Sequence, residues 1–357
     1  MTVTLYTNII SPHQLPLARE IVRRIGRENY RYVYTEGFHA ERTKMGWHCD
    51  QADDVRCLRF DPRRKSLENV EARDWLENCD LLLCCPRDLG LIERRCQRGR
   101  RTYYVNERWF KPPWGCLRMV VPSFRRMVRK FVSLTNEYEK FRLLPIGVHA
   151  RHDFRELGVT SDKMTTWGYF VEPSRQWALR ETSEISKRSL RVLWVGRLLA
   201  WKRVDTLLKA VACCRARFPI SLTIVGDGPL RGKLERLAQK LFGAQLEGVR
   251  LEHSVSIGMV RDLMRSHDVY VLPSNGYEGW GAVVSEALEE GMTVFGTHEA
   301  GSCATILPDS QLFYVGDWRR LASLLEAFHF DPQNFDNGGP FLWTAARAAE
   351  RLLSCEL

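Results

Sequence analysis

Glu278 and Glu286 bracket a run of two glycines and apolar residues, Glu278-Gly279-Trp280-Gly281-Ala282-Val283-Val284-Ser285-Glu286, and Pro273-Ser274-Asn275-Gly276 precedes it. A glycine-rich loop entering a helix presents unpaired backbone N–H groups and the positive end of the helix dipole, which suit an anion such as a diphosphate. Carboxylates repel that anion, so these two must be aimed at something else. A carboxylate only accepts hydrogen bonds and a sugar hydroxyl can donate one. The chemistry suggested is recognition of a sugar beside a phosphate.

The complementary charge lies upstream. Arg191-Val192-Leu193-Trp194-Val195-Gly196 reads as a buried strand. It leads through Arg197-Leu198-Leu199-Ala200-Trp201-Lys202 into an amphipathic helix with Val204, Leu207, Leu208 and Val211 on one face. Arg197 and Lys202 therefore flank a strand-to-helix turn, where open α/β sheets bind ligands. Cations at a helix start oppose its dipole, so two of them imply an anion nearby. Two fixed cations can neutralise a leaving diphosphate without a metal.

Taken in order, Gly196-Arg197-Leu198 with Lys202, Gly226-Asp227-Gly228-Pro229, Leu272-Pro273-Ser274 and the Glu278/Glu286 pair resemble the donor-binding half of the retaining family-four (group 1) glycosyltransferases. The resemblance is strong over about residues 190 to 308. The first half is more loosely similar to a bacterial branch of that family, through Ser11-Pro12-His13-Gln14-Leu15-Pro16, Asn106-Glu107-Arg108 and Trp167-Gly168-Tyr169-Phe170. The resemblance implies the GT-B fold, an α/β architecture of two Rossmann-like β/α/β domains facing each other across a cleft. It implies that Arg197 and Lys202 hold the donor phosphates, Glu286 the ribose hydroxyls and Glu278 the transferred sugar. The amides of Gly279, Trp280, Gly281 and Ala282 are their expected companions. Trp280 stands where the family often has Phe, so its bulk is expected to be structural.

Gly226 reads first as a tight turn leaving a strand, and its bare Cα would also let the donor approach closely. On the acceptor side the resemblance points to His13, after the first strand, and to Glu107 and Arg108, after the strand Thr102 to Val105. Their plain alternatives are a packed helix residue and a surface ion pair. His13 joins Glu278, Arg197 and Lys202 as a catalytic candidate. His149 and His152 have metal-ligand spacing, but no acid or thiolate joins them, so no metal or other cofactor is expected.

The implied reaction is metal-independent transfer of a hexose from a nucleotide-diphosphate sugar to a hydroxyl, with retention of anomeric configuration. UDP is the favoured nucleotide and GDP the alternative. The acceptor is expected to be a glycan or a lipid-linked glycan, in bacterial lipopolysaccharide, capsule or other glycan synthesis. No Asp-x-Asp metal motif occurs. Two rival readings stand beside this one. One is a nucleotide-sugar epimerase or sugar phosphorylase of the same fold. The other is a non-enzymatic membrane- or RNA-binding protein.

Elements able to position these residues are legible in the periodicity. Strands are expected at Val3–Thr7, Tyr32–Tyr34, Val55–Phe60, Leu81–Cys85, Thr102–Val105, Leu143–Gly147 and Met164–Trp167, with helices between several of them. A second alternating series has strands near 191–196, 221–226, 249–252, 269–272 and 293–295. Helices in it are expected near 203–217, 230–242, 258–266, 282–290 and 317–328. Such alternation predicts open, mostly parallel sheets wrapped by helices. The expected division is an acceptor-binding domain at 1–172, a polar linker at 173–189, a donor-binding domain at 190–335 and a C-terminal helical segment at 336–357. The resemblance lets that last segment pack back on the first domain.

The chain of 357 residues is long enough for two domains, and its 45% apolar content is enough for packed cores. No run of eighteen apolar residues appears, and Met1 to Tyr6 enters a strand without the pattern of a signal peptide. None of the eleven cysteines forms a Cys-x-x-Cys pair, so reduced core thiols and a cytoplasmic location are expected. The net charge of +10 is concentrated, because residues 87–130 carry thirteen Lys/Arg against Asp88, Glu93 and Glu107. Trp109, Phe110, Trp114, Met119, Phe124, Met127 and Phe131 interleave with those cations. That mixture suits peripheral contact with an anionic membrane, on its inner face. Single-stranded nucleic acid is not expected as a partner, and a solvated helix with a core stripe is the plain alternative.

Overall fold

The computed structural model describes every residue except 38–51, 62, 65, 173–187, 336–343 and 355–357. The chain divides into two units, Met1–Glu172 with Leu342–Leu357, and Pro173–Phe341. The expected linker at 173–189 lies outside the described residues except for Arg188 and Ser189.

The first unit is built on six parallel strands: β1 (Val3–Thr7), β2 (Tyr30–Tyr34), β3 (Cys57–Arg59), β4 (Leu81–Cys84), β5 (Arg101–Asn106) and β6 (Phe141–Pro145). Their order in the sheet is β3-β2-β1-β4-β5-β6. In register, Val3 stands opposite Tyr30 on one side and Leu81 on the other. Central strands such as Leu81-Leu82-Leu83-Cys84 are apolar throughout and fully buried, as a sheet covered on both faces requires. On one face, Phe131 of the helix Pro122–Glu137 and Phe154 of the helix Val148–Glu156 close over Tyr104 of β5. The helix Ala345–Ser354 packs on Leu15–Ile25 through Ala348, Ala349 and Leu352, and Arg24 Nη2 donates to Ala346 O at 3.1 Å.

The second unit repeats the plan with β7 (Leu190–Val195), β8 (Ile220–Val225), β9 (Val249–Glu252), β10 (Val269–Leu272), β11 (Thr293–Thr297) and β12 (Leu312–Phe313). Its order is β12-β11-β10-β7-β8-β9. Numbered within its own unit, this is the same arrangement as the first sheet, with first and fourth strands adjacent at the centre. Both sheets are thus doubly wound, and each has a crevice where its connections diverge: beyond β1 and β4, and beyond β7 and β10. The ends of β7 and β10 are tied by buried Asp268, which accepts from Arg188 at 2.7 Å and Arg191 at 2.9 Å.

Several expectations need correction. Met164–Trp167 is not a strand; it makes only the isolated bridges Leu143–Met164 and Ile146–Trp167. The short helix Gly301–Ile306 and the two-residue β12 were not legible, being too short to show a period. The described cysteines are all free thiols, but Cys116 is exposed rather than in the core. Burial pushes the thiols of Cys85 and Cys303 up to about 12, which disfavours their thiolates. Among the described residues, no helix is long and apolar enough to cross a membrane.

Candidate functional site

In the second unit the loop following β7 is shaped by the turn following β8. Gly196 N donates to Val225 O at 3.0 Å, Leu198 N to Asp227 O at 2.9 Å and Leu230 N to Leu198 O at 3.2 Å. A Cβ on Gly226 would sit 1.8 Å from Gly196 O, and one on Gly228 would sit 2.6 Å from Leu198 O. Both glycines also have positive φ, 147° and 158°. The space beside Gly226 is therefore filled by the chain itself, and the glycine is required by this close backbone approach. Asp227 is also occupied: the Ser254 amide at 2.9 Å and the His253 imidazole at 2.6 Å hold its carboxylate down at about 2. This framework carries exposed Arg197 outward and leads into the turn Ala200–Lys202.

That turn meets the loop following β10. Asn275 N donates to Trp201 O at 2.8 Å, and the rings of Trp201 and Tyr277 stack with centroids 5.9 Å apart. Lys202 Nζ donates to Glu278 Oε2 in an ion pair whose side chains are only 17% and 14% exposed. Lys202 and Glu278, singled out separately in the sequence, thus hold each other at the crevice of this sheet. Trp201 and Tyr277 were not singled out as site residues. Their signal was an aromatic in each of the two loops that carry the charged candidates.

Beyond Glu278 the chain runs over the segment following β11. Ser302 N donates to Trp280 O at 2.9 Å and Ser302 Oγ to Gly281 O at 3.1 Å. Gly281 has φ 88°, and a Cβ there would meet Leu272 Cδ2 at 2.8 Å. Trp280 is buried, 1% exposed, and fills the base of the loop. Among the described residues, the amides of Gly279, Gly281 and Ala282 donate to no backbone carbonyl. Half-buried Glu286 lies in the first turn of the helix Val283–Glu289. That helix has only seven residues, so its dipole is small and the loop amides are the stronger anion donors.

The first unit has its own cavity at the corresponding crevice, with a volume of about 560 Å³. His13 reaches it from the turn after β1, Arg87 from the loop after β4, and Glu107, Arg108 and Lys111 from the loop after β5. Tyr169 also lines the cavity, its ring centroid 6.2 Å from that of His13. Phe170 N donates to His13 O at 2.9 Å, which ties the segment around 169 to this turn. Glu107 and Arg108 do not pair with each other. Glu107 accepts from Lys111 Nζ and, at 3.3 Å, from the Tyr169 hydroxyl. Arg108 instead donates to buried Asp153 at 3.4 Å, and Asp153 also accepts from Phe110 N at 2.9 Å. Burial and the adjacent Glu107 charge push the Tyr169 phenol well up, which keeps it a hydrogen-bond donor. Lys111 and Tyr169 were not singled out; Lys111 was detectable as the residue one turn after Glu107. His149 and His152 stand on Val148–Glu156, and among the described residues no three His, Cys, Asp or Glu side chains gather as metal ligands.

Much of the basic segment serves the fold. Arg94 and Arg98 pair with Glu77, Arg100 with Asp80, and Lys130 with Glu93. Arg95, fully buried, donates to the carbonyls of Leu76, Glu77, Cys79 and Arg101. The charge excess open to a partner is therefore narrower than residues 87–130 suggest.

Comparison with known proteins places this geometry. Residues 175–336 match the family model described as glycosyl transferases group 1. The chain is 27% identical over 175 residues to a GDP-mannose-dependent alpha-(1-6)-phosphatidylinositol dimannoside mannosyltransferase of Mycobacterium tuberculosis, covering 45% of this chain and 44% of that protein. It therefore matches less than half the length of that relative. The Anabaena protein HepE, solved in complex with UDP, superposes with a TM-score of 0.66 at 17% identity, covering 99% of this chain and 97% of that one. The lipopolysaccharide outer core galactosyltransferase WaaB superposes with a TM-score of 0.67 at 14% identity, covering 100% of both chains. The shared architecture is GT-B.

Proposed function

We propose, from the match of residues 175–336 to the group 1 glycosyl transferases, that this chain moves a hexose from a nucleotide-diphosphate sugar to a hydroxyl acceptor with retention of configuration. The observation that carries the proposal is the meeting of the turn 200–202 with the loop 273–282, which joins Lys202 to Glu278 beside loop amides that lack backbone partners. In this reading the donor diphosphate takes the Lys202 ammonium and the Arg197 guanidinium. Glu278, released from Lys202, then accepts from a hydroxyl of the transferred sugar, and Glu286 accepts from the ribose.

Breaking the anomeric bond leaves an oxocarbenium-like sugar and a diphosphate. The protein's main task is to stabilise that diphosphate, and fixed cations and amides do so without reorganisation as charge develops. No metal enters this scheme. No carboxylate is assigned as a covalent nucleophile, so the acceptor attacks the face from which the diphosphate departs. UDP is favoured as the nucleotide because HepE was solved with it, and GDP is the alternative because the mycobacterial relative uses GDP-mannose.

The 560 Å³ cavity of the first unit is the acceptor site in this reading, since its volume falls in the range that holds a sugar-sized ligand. His13 and Glu107 are the groups there able to orient or deprotonate a hydroxyl. A glycan, soluble or lipid-linked, of the kind assembled in bacterial surface polysaccharides is the acceptor class.

Melting-temperature screening against nucleotide sugars identifies the donor, because a ligand bound to the folded form raises the midpoint. Product analysis with that donor, labelled in the sugar, then tests the reaction. Label transferred to an acceptor supports the proposal. Isomerised donor indicates an epimerase, and release of a sugar phosphate from a glycan indicates a phosphorylase.

A further inference from the structure

The segment after Trp109 exposes apolar side chains that the fold has no use for. Trp114 is 66% exposed, Leu117 61% and Val120 73%, and Val121 follows at 50%. Gly115–Val120 is a 3₁₀-helix with Trp114 as its first flanking residue. Such a helix has three residues per turn, so side chains three apart lie above one another. Trp114, Leu117 and Val120 therefore form one ridge rather than three scattered contacts. The ridge is fixed from behind: Met119 packs against the core of the first unit, and Arg118 Nη1 donates to Trp109 O at 2.9 Å.

The next element supplies charge of one sign. Pro122–Glu137 buries Val128, Phe131 and Leu134 and turns Arg125, Arg126 and Arg129 to solvent. Among the described residues these three arginines make no ion pair. No Asp or Glu occurs anywhere from Arg108 to Asn136. Beside the ridge, Met119, Val128, Val132 and Leu157 line a largely apolar groove of about 390 Å³, with Arg129 in its wall. Glu156, also in that wall, faces His152 and Arg155, each at 3.8 Å.

We propose that this ridge and the adjoining arginine face form a docking surface for an anionic lipid bilayer, with Trp114, Leu117 and Val120 entering the acyl boundary and Arg125, Arg126 and Arg129 meeting lipid phosphates. An apolar ridge with an indole at one end, flanked by unpaired cations, suits the interface between headgroups and chains. A second copy of the chain is the wrong partner, because an isologous contact would set three arginines against three. Nucleic acid would use the arginines and one indole and leave Leu117, Val120 and Val121 without a role. The proposal stands apart from the donor chemistry, since no residue of the ridge or arginine face was placed in the catalytic machinery.

The test is flotation of the full chain with vesicles of phosphatidylcholine, alone or mixed with phosphatidylglycerol. Two triple variants accompany the wild type, W114S/L117S/V120S and R125Q/R126Q/R129Q. All six positions are exposed, and unchanged circular-dichroism melts would show that the variants fold. Wild type is expected to float with the mixed vesicles and not the neutral ones, less so as salt rises. The arginine variant is expected to lose roughly 100-fold in partitioning, from about fivefold per charge. The ridge variant is expected to lose binding to mixed vesicles as well. Equal flotation with both lipids, no flotation, or wild-type flotation of either variant overturns the proposal. Retention on homopolymer RNA without vesicle binding overturns it in favour of nucleic acid.

Discussion

The two units share one strand order, and each gathers charged residues at the crevice beyond its first and fourth strands, yet they build those places differently. In the second unit the backbone is the material. Gly226 and Gly228 admit the loop after β7 so closely that any Cβ would collide with it, and that loop in turn sets Trp201 and Lys202 against the loop after β10. In the first unit the side chains are the material. Tyr169, Glu107 and Lys111 form a chain of contacts around an open cavity, and Arg108 is anchored through Asp153. A site made by backbone approach demands glycine at fixed positions, whereas one made by side chains accepts several solutions.

The sharpest way to break this contrast is at the charges of the second unit. Lys202→Ala and Glu286→Ala are each expected to lower transfer at least roughly 100-fold while the melting temperature changes little. Turnover near wild type in either variant, measured with the donor found by melting-temperature screening, would remove the second crevice from the chemistry. Next comes the backbone. Gly226→Ala places a methyl 1.8 Å from Gly196 O and is expected to cost about 3 kcal/mol in chemical denaturation. A loss below about 1 kcal/mol would show that the loop can relax and that the glycine interlock is loose.

A smaller effect is expected at Asp268. Burial alone would raise its pKa, but hydrogen bonds from Arg188 and Arg191 outweigh burial and hold it at about 2. A carboxylate depressed in the folded state contributes stability above its ordinary pKa and loses it as pH falls through the folded value. The second unit should therefore lose about 2 kcal/mol between roughly pH 5 and pH 1, and Asp268→Asn should flatten that dependence. Identical acid-unfolding profiles for wild type and variant would refute the assignment. The smallest effect sharpens the other side of the comparison. Tyr169→Phe removes one donor from Glu107 and is expected to raise the acceptor KM a few-fold, with the donor-induced melting shift unchanged. A change in that donor shift instead would mean that the residue acts on the wrong substrate.

The same contrast explains what the sequence revealed. The alternating pattern located eleven of the twelve strands to within a few residues, because buried parallel strands read as apolar runs such as Leu81–Cys84 and Val269–Leu272. It misjudged Met164-Thr165-Thr166-Trp167, a segment that runs beside β6 yet pairs only through two single bridges. Around the second crevice, glycines forced by close approach gave a motif that could be read. The Lys202–Glu278 ion pair was not legible, because the partners are far apart in sequence and meet only through two loops. In the first unit, Tyr169 could not be linked to Glu107 from sequence for the same reason. The sequence put Trp114 among aromatics suited to a membrane surface, but the ridge it forms with Leu117 and Val120 was not legible, because three-residue periodicity is rare.

The ion pair between Lys202 and Glu278 also bears on the order in which the pocket fills. While the ammonium occupies the carboxylate, a free monosaccharide arriving alone must displace a charged rival with nothing but neutral hydroxyls. In the proposed reaction a nucleotide diphosphate would draw the lysine away with charge of its own, and only then would the carboxylate become available. The resting contact would act as a sequence check: unattached sugars are turned away, and the nucleotide handle admits its cargo.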